Sequence, residues 1–409
     1  METIVKTDNS YESQKIDEKY ILSINDRNSL LICLNQLLTN PPKSDLNDVL
    51  LQIHCNHFDD YVKYVSAKVI IDYIFKRQLS LNFVFESKYW NSFSHLCQFL
   101  STLSTKISIK ECNGFESIID ELSNKLVNWS QSEDLLSEDQ CLCHVFDTVL
   151  QVFPHINDEN INTFLSNVTK LLTKEKKRCF VYKLIDIMIN IMKQKEENPV
   201  LMKTISVWVI QQNFLTERIN FSNVLYSFGG KYLSDNDFGC DVILLRQSVH
   251  LFLITLSSEY VLKSYSDIDI KDKLRAVEEF VRNKCKKFDE NDWIVKLFIE
   301  EDEQLLSAVF CLIRLGDNQL SHFIMSSLIE SIDFDSSVLL DMLCDEQTAT
   351  LLLKIFLFYL KLSDILTEIS INVKNVFLEL SEKMEKLTAK QLFPYNVKPL
   401  IKLLNKLKN

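Results

Sequence analysis

The chain has 409 residues, of which 46% are apolar and 25% charged, values that exclude wholesale disorder and a membrane-embedded body. Gly and Pro together supply only 11 of the 409 residues, roughly a quarter of ordinary usage. Glycine-rich phosphate loops, type I′ hairpins and Rossmann turns need positive φ or close backbone approach, so this shortage disfavours all three and points to helices. The net charge of −11 disfavours a whole-surface grip on nucleic acid. It is unevenly placed: residues 386–409 hold Lys386, Lys390, Lys398, Lys402, Lys406 and Lys408 and no acid, leaving −17 on residues 1–385.

At the N-terminus, charges stand where a signal peptide would need an apolar stretch, so a reduced, intracellular setting is expected. The odd count of eleven scattered cysteines agrees with it. Breaks are read at Asn40-Pro41-Pro42, around Ser130 to Gln140, at Pro154 and at Asn198-Pro199, where the residue before proline avoids the α region. Between them, Ile161, Phe164, Leu165, Val168, Leu171 and Leu172 follow the i, i+3, i+4, i+7 rule of an amphipathic helix. Phe180, Val181, Leu184, Ile185, Met188, Ile191 and Met192 repeat it. Phe228-Gly229-Gly230 to Cys240 reads as the best loop and as a seam within the large domain. From Leu351 to Leu362 apolar residues surround nearly the whole circumference, the pattern of an inner helix. Lys354 and Lys361 interrupt that run, which falls short of a bilayer span.

Helices of about 12 residues would number roughly 20 over this length. The fold class expected is all-α, an armadillo/HEAT-like solenoid stacked in pairs, with a compact bundle as the alternative.

Chemistry is sparse. His54-Cys55-Asn56-His57 and Cys141-Leu142-Cys143-His144 are the only tight Cys/His clusters, and neither has the complete spacing of a structural zinc site. No thiol is marked as an activated nucleophile. Glu300-Glu301-Asp302-Glu303 reads as an acidic helix start, and Asp335 before Ser336-Ser337-Val338 as an N-cap. Lys174, Lys176, Lys177 and Arg178, like Lys284, Lys286 and Lys287, read as solvated helix faces.

The C-terminus is more informative. Asn396 is placed to cap a helix from Val397, with Pro399 in its first turn and Tyr395 stapling to Leu400. Leu400, Leu403, Leu404 and Leu407 form an apolar stripe, and Lys398, Lys402 and Lys406 recur on another face. Such a helix docks on its own chain, on a partner groove or on an anionic membrane. Lys398, Lys402 and Lys406 are the candidate partner contacts; no catalytic, cofactor-binding or metal residue is assigned.

Three blocks resemble the Lines family: Trp293-Ile294-Val295-Lys296-Leu297-Phe298-Ile299-Glu300-Glu301-Asp302, then Phe334-Asp335-Ser336-Ser337-Val338-Leu339-Leu340-Asp341 running on to Tyr359-Leu360-Lys361-Leu362, and the terminal Leu392-Phe393-Pro394-Tyr395-Asn396 with Leu400, Lys402, Leu403 and Leu404. Phe228-Gly229-Gly230 with Val242-Ile243-Leu244 is a weaker fourth match. Residues 1–227 match only in helical character. The resemblance implies a large helical domain over 1–362, a short connector over 363–385 in place of the long Ser- and Asp-rich insert of larger members, and a C-terminal module over 386–409. It also implies a non-catalytic, armadillo-like scaffold of cytoplasm and nucleus in developmental, Wnt-type signalling. Its partners would be proteins such as Odd-skipped-type zinc-finger transcription regulators, with no cofactor and no direct nucleic-acid contact. The alternative is a peripheral membrane-surface or transport adaptor using the basic C-terminal helix.

Overall fold

The computed structural model describes residues 18–39, 47–77, 156–170, 178–211, 241–284, 293–315, 318–362 and 369–408, apart from single positions, together with scattered residues between 84 and 149. Among the described residues every regular element is helical and there is no strand. The chain divides into two compact units, residues 1–168 and 169–409. The division falls at 168/169; the seam read at 228–240 lies outside the described residues, as do the breaks read at 41–42, 130–140 and 154.

In the first unit, α1 (Glu18–Ser23), α2 (Arg27–Thr39), α3 (Asn47–Asn56) and α4 (Asp60–Arg77) pack through Leu34, Leu50, Leu51, Val62, Ile70 and Ile74. Asp59 starts α4 by accepting from Val62 N at 3.0 Å, and it also takes the Arg27 guanidinium at 2.6 Å. These bonds hold its carboxyl below the usual range, Arg27 being the largest influence. Helix α5 (Asp158–Lys170) carries the predicted stripe, with Ile161, Phe164, Leu165 and Val168 buried.

The second unit begins with α6 (Arg178–Gln194) and α7 (Pro199–Ser206). Asn198 caps α7 by accepting from Val200 N and Leu201 N, with Pro199 in the first turn, where a missing N–H costs nothing. A π turn, Val207–Gln211, continues α7 and buries Trp208, Val209 and Ile210. Next come α8 (Val242–Ser257), α9 (Glu259–Ser264), α10 (Asp267–Lys284), α11 (Trp293–Phe298), α12 (Asp302–Leu315), α13 (Asn318–Ser331), α14 (Ser336–Cys344), α15 (Ala349–Tyr359), α16 (Ile371–Ala389) and α17 (Lys398–Leu404), the last running into a 3₁₀ turn, Asn405–Lys408.

The innermost element is α8, packed against α6 and α12 and buried nearly all round. Several of its polar residues find partners: Ser248 and Thr255 donate to the carbonyls of Leu244 and Leu251, and His250 Nε2 lies 2.8 Å from Ser307 Oγ on α12. Burial, with a lesser push from Lys193, drives His250 down to about 3. The folded state therefore holds this imidazole neutral, while the unfolded chain takes up its proton near pH 6.5. Stability should be complete above pH 6.5 and fall as pH drops toward 3, because the unfolded state then binds more protons. His250→Gln should flatten that slope between about pH 6.5 and 5, read as the denaturation midpoint against pH.

The segment Leu351 to Leu362 departs from expectation. Helix α15 buries one face through Leu352, Ile355, Phe356 and Tyr359, but Lys354 is exposed and Phe358 is 48% exposed, so it is a flanking helix rather than an inner one. Lys354 cannot shed its charge into a core; its ammonium instead lies 6.0 Å from the Phe310 ring centre, beside the Phe310–Phe358 edge-to-face pair.

With so few glycines, two helices stop on larger residues. Asp333 (φ 52°), Phe334 (φ 57°) and Gln391 (φ 57°) are left-handed, and the bonds Phe334 N to Ile329 O, across Asp333, and Leu392 N to Leu387 O, across Gln391, close the ends of α13 and α16. The second of these turns aims the chain into its last helix.

Candidate functional site

The candidate region is the C-terminal end of the second unit, α14, α16 and α17, where the lysines picked from sequence reside. Helix α16 starts on Ser370, whose Oγ accepts from Val373 N, and buries Val373, Val376, Phe377, Leu380, Ser381 and Met384. It packs on α14 and on α17. Midway along it, Lys383 Nζ donates to Ser336 Oγ at 2.7 Å and Ser337 Oγ at 2.8 Å. Asp335 caps that same end of α14 by accepting from Ser337 N at 2.8 Å, as read from sequence. Its carboxyl is held below the usual range, first by this bond and least by Lys383.

After the turn at Gln391, Tyr395 anchors the chain to the other end of α14. Its hydroxyl donates to Leu343 O at 2.7 Å, across 52 residues of sequence. This bond satisfies the polar tip of a phenol whose ring is half-buried. Asn396 does accept from Lys398 N at 3.2 Å, but Val397 occupies the N-cap position, one residue later than expected. Burial, then the neighbouring Cys344, pushes Tyr395 up to about 12. The folded state so holds a proton that the unfolded chain loses near pH 10. Docking of this turn should thus be complete below pH 10 and weaken as pH rises toward 12. Tyr395→Phe should cost about 1 kcal/mol at neutral pH and abolish the alkaline loss, both readable by chemical denaturation.

Leu400, Leu404 and Leu407 are buried, whereas Leu403 is half-buried at the margin of the stripe. Asn405 fixes the helix end, with Nδ2 donating to Glu385 Oε1 at 2.8 Å and Oδ1 accepting from Ser381 Oγ at 3.3 Å. Lys398, Lys402 and Lys406 are all exposed. The structure separates them: Lys398 and Lys402, with Ile401 and Asn405, line an open groove of about 620 Å³ whose other wall is Glu385, Thr388 and Ala389, whereas Lys406 is not among its lining residues. Sequence spacing placed the three on one face but could not show the second wall, which comes from α16.

Of the other sequence candidates, His54, Cys55 and His57 are described. His54 is buried and its Nδ1 donates to Lys63 O at 2.8 Å; Cys55 is buried, which pushes its thiol up to about 12 against the attraction of Lys63. His57 Nδ1 accepts from Asp59 N at 3.0 Å. Cys141, Cys143 and His144 lie outside the described residues. Among the described residues no group of three or more His, Cys, Asp or Glu is placed to hold a metal ion, and no helix is long and apolar enough to cross a membrane. In the acidic run, Asp302 and Glu303 do stand in the first turn of α12, but Glu303 also takes Lys193 Nζ at 2.9 Å and Glu300 takes Arg246.

What this region defines, in a chain whose described regular elements are all helical, is a pair of last helices that form a small module seated on the body of their own unit. Residues 373–409, which span α16 from its third residue through α17, match the family described as Lines C-terminus, so the chain carries a Lines C-terminal module. The match begins inside the stretch 363–385 that reads from sequence as a connector, and α16 runs unbroken through 385/386, its buried residues Val376, Phe377, Leu380 and Met384 all lying before that point. No curated protein and no solved structure matches the chain.

Proposed function

We propose that the whole chain is a Lines-family protein: a non-catalytic, armadillo/HEAT-like helical scaffold that regulates developmental, Wnt-type signalling in cytoplasm and nucleus by holding protein partners. The observation that carries this reading is the Lines C-terminal module itself, matched over 373–409 and bound to the body by Lys383 and Tyr395. Charge supports the partner class. Zinc-finger transcription regulators are basic, and residues 1–385 carry −17, a field that steers such partners toward the helical body. The mechanism is competition or sequestration.

Titration calorimetry of the full chain with a purified Odd-skipped-type zinc-finger regulator tests it. Saturable binding that weakens with salt supports the reading; absence of heat at low salt overturns the partner class. The rival reading, a membrane-surface adaptor on the basic helix, meets an obstacle. An interfacial helix must offer apolar side chains to the lipid, and here Leu400, Leu404 and Leu407 face the protein interior.

A further inference from the structure

The groove between α16 and α17 concentrates uncompensated positive charge. Lys398 and Lys402 stand one helical turn apart on its rim, about 5–6 Å between their Cβ atoms, and neither has a carboxylate within ion-pair distance among the described residues. Lys386 and Lys390 are exposed at the end of α16, beside the Thr388 and Ala389 that form the opposite wall. Glu385 is the single acid in the lining, and it is already engaged by the Asn405 amide. The floor offers half-buried Ile401, and the Thr388 hydroxyl oxygen is buried without a hydrogen-bond partner in the protein. A carboxylate in the groove would meet two ammonium groups.

We infer that this groove docks an acidic, leucine-bearing segment of a partner protein, with carboxylates on Lys398 and Lys402 and an apolar side chain on Ile401. A lipid surface fits less well, because the lysines border a concavity and the leucines of the same helix are turned inward. This inference is independent of the zinc-finger partner proposed above: that partner is drawn to the acidic body, and this groove selects the opposite charge.

The test is fluorescence anisotropy of the full chain with a fluorescein-labelled peptide of alternating Glu and Leu, its Gln-for-Glu counterpart, and, in parallel, sedimentation with vesicles of phosphatidylcholine and phosphatidylserine. The Glu peptide should bind, more weakly as salt rises, and the Gln peptide should not. Lys398→Glu with Lys402→Glu should lower affinity about tenfold. Lys406→Glu, outside the groove, should change it by less than about twofold. Lys398→Gln with Lys402→Gln gives the same ordering should the charge reversals lower the melting temperature. Equal binding of the two peptides, an equal loss from Lys406→Glu, or lysine-dependent binding to vesicles without binding of the Glu peptide would each overturn the proposal. Failure of the calorimetric experiment with a zinc-finger protein leaves these outcomes unchanged, so the two proposals fall separately.

Discussion

Leu404→Asp should destabilise the second unit by about 3–5 kcal/mol, the combined cost of deleting a buried leucine and burying a carboxylate without a partner. Leu404 is 0% exposed, and Leu400 and Leu407 beside it are equally enclosed, so no small rotation of α17 brings the new charge to water. Leu403→Asp is the internal comparison. That side chain is half-buried at the edge of the stripe, and a carboxylate there reaches solvent by a rotamer change, so its cost should be about 1 kcal/mol. Thermal melting of the two variants should separate them clearly. Equal melting temperatures would mean that α17 is not seated on the body. The alkaline prediction for Tyr395 probes the same seating from the turn that precedes it.

The C-terminal module was legible because its signals are local. An apolar stripe at 400, 404 and 407, a capping Asn396, a Pro399 in the first turn and a run of lysines all lie within one stretch of chain, and each needs only helical geometry to interpret. What surrounds that stretch was not legible. Tyr395 finds Leu343 across 52 residues, Lys383 finds Ser336 and Ser337 across nearly as many, and the groove wall opposite Lys398 and Lys402 comes from α16. Periodicity says that a face is buried and says nothing of what buries it. At the boundary read at 385/386 a charge count changes sign while α16 continues through it, since net charge does not say where a helix ends.

The two centrally apolar helices show the same limit from the other side. Helix α15 has the richer apolar sequence and lies at the flank; α8 carries Arg246, Gln247, Ser248 and His250 and lies in the middle. A composition-based reading ranks them the wrong way, since it counts Arg246 and His250 as surface residues. Their burial depends on partners that only the fold supplies: Ser307 of α12 for the imidazole, and the end of α11 for the guanidinium.

That guanidinium carries the last prediction. Arg246 is 6% exposed; its Nε donates to Leu297 O at 2.7 Å and its Nη2 to Glu300 Oε2 at 2.8 Å. Leu297 lies in the last turn of α11, where carbonyls have no acceptor role inside the helix, so a side-chain donor must reach them or water must. Water is poorly placed to do so at a residue as enclosed as Leu297, which is 0% exposed. Arg246→Met should therefore cost about 2–4 kcal/mol, since it removes a charge-assisted bond and orphans a buried carbonyl. Arg246→Lys should recover only part, because one ammonium lacks the planar fork that serves both acceptors at once. Glu300→Gln should cost no more than about 1 kcal/mol, since the Glu300 side chain is 57% exposed and the pair is screened by water. Chemical denaturation of the three variants ranks them: methionine worst, lysine between, glutamine nearly neutral. If Glu300→Gln proved as damaging as Arg246→Met, the ion pair rather than the carbonyl bond would hold α8 to α11. The ordering expected here instead assigns that role to Leu297 O, a contact that joins α8 to the Trp293–Asp302 block through the Arg246 side chain.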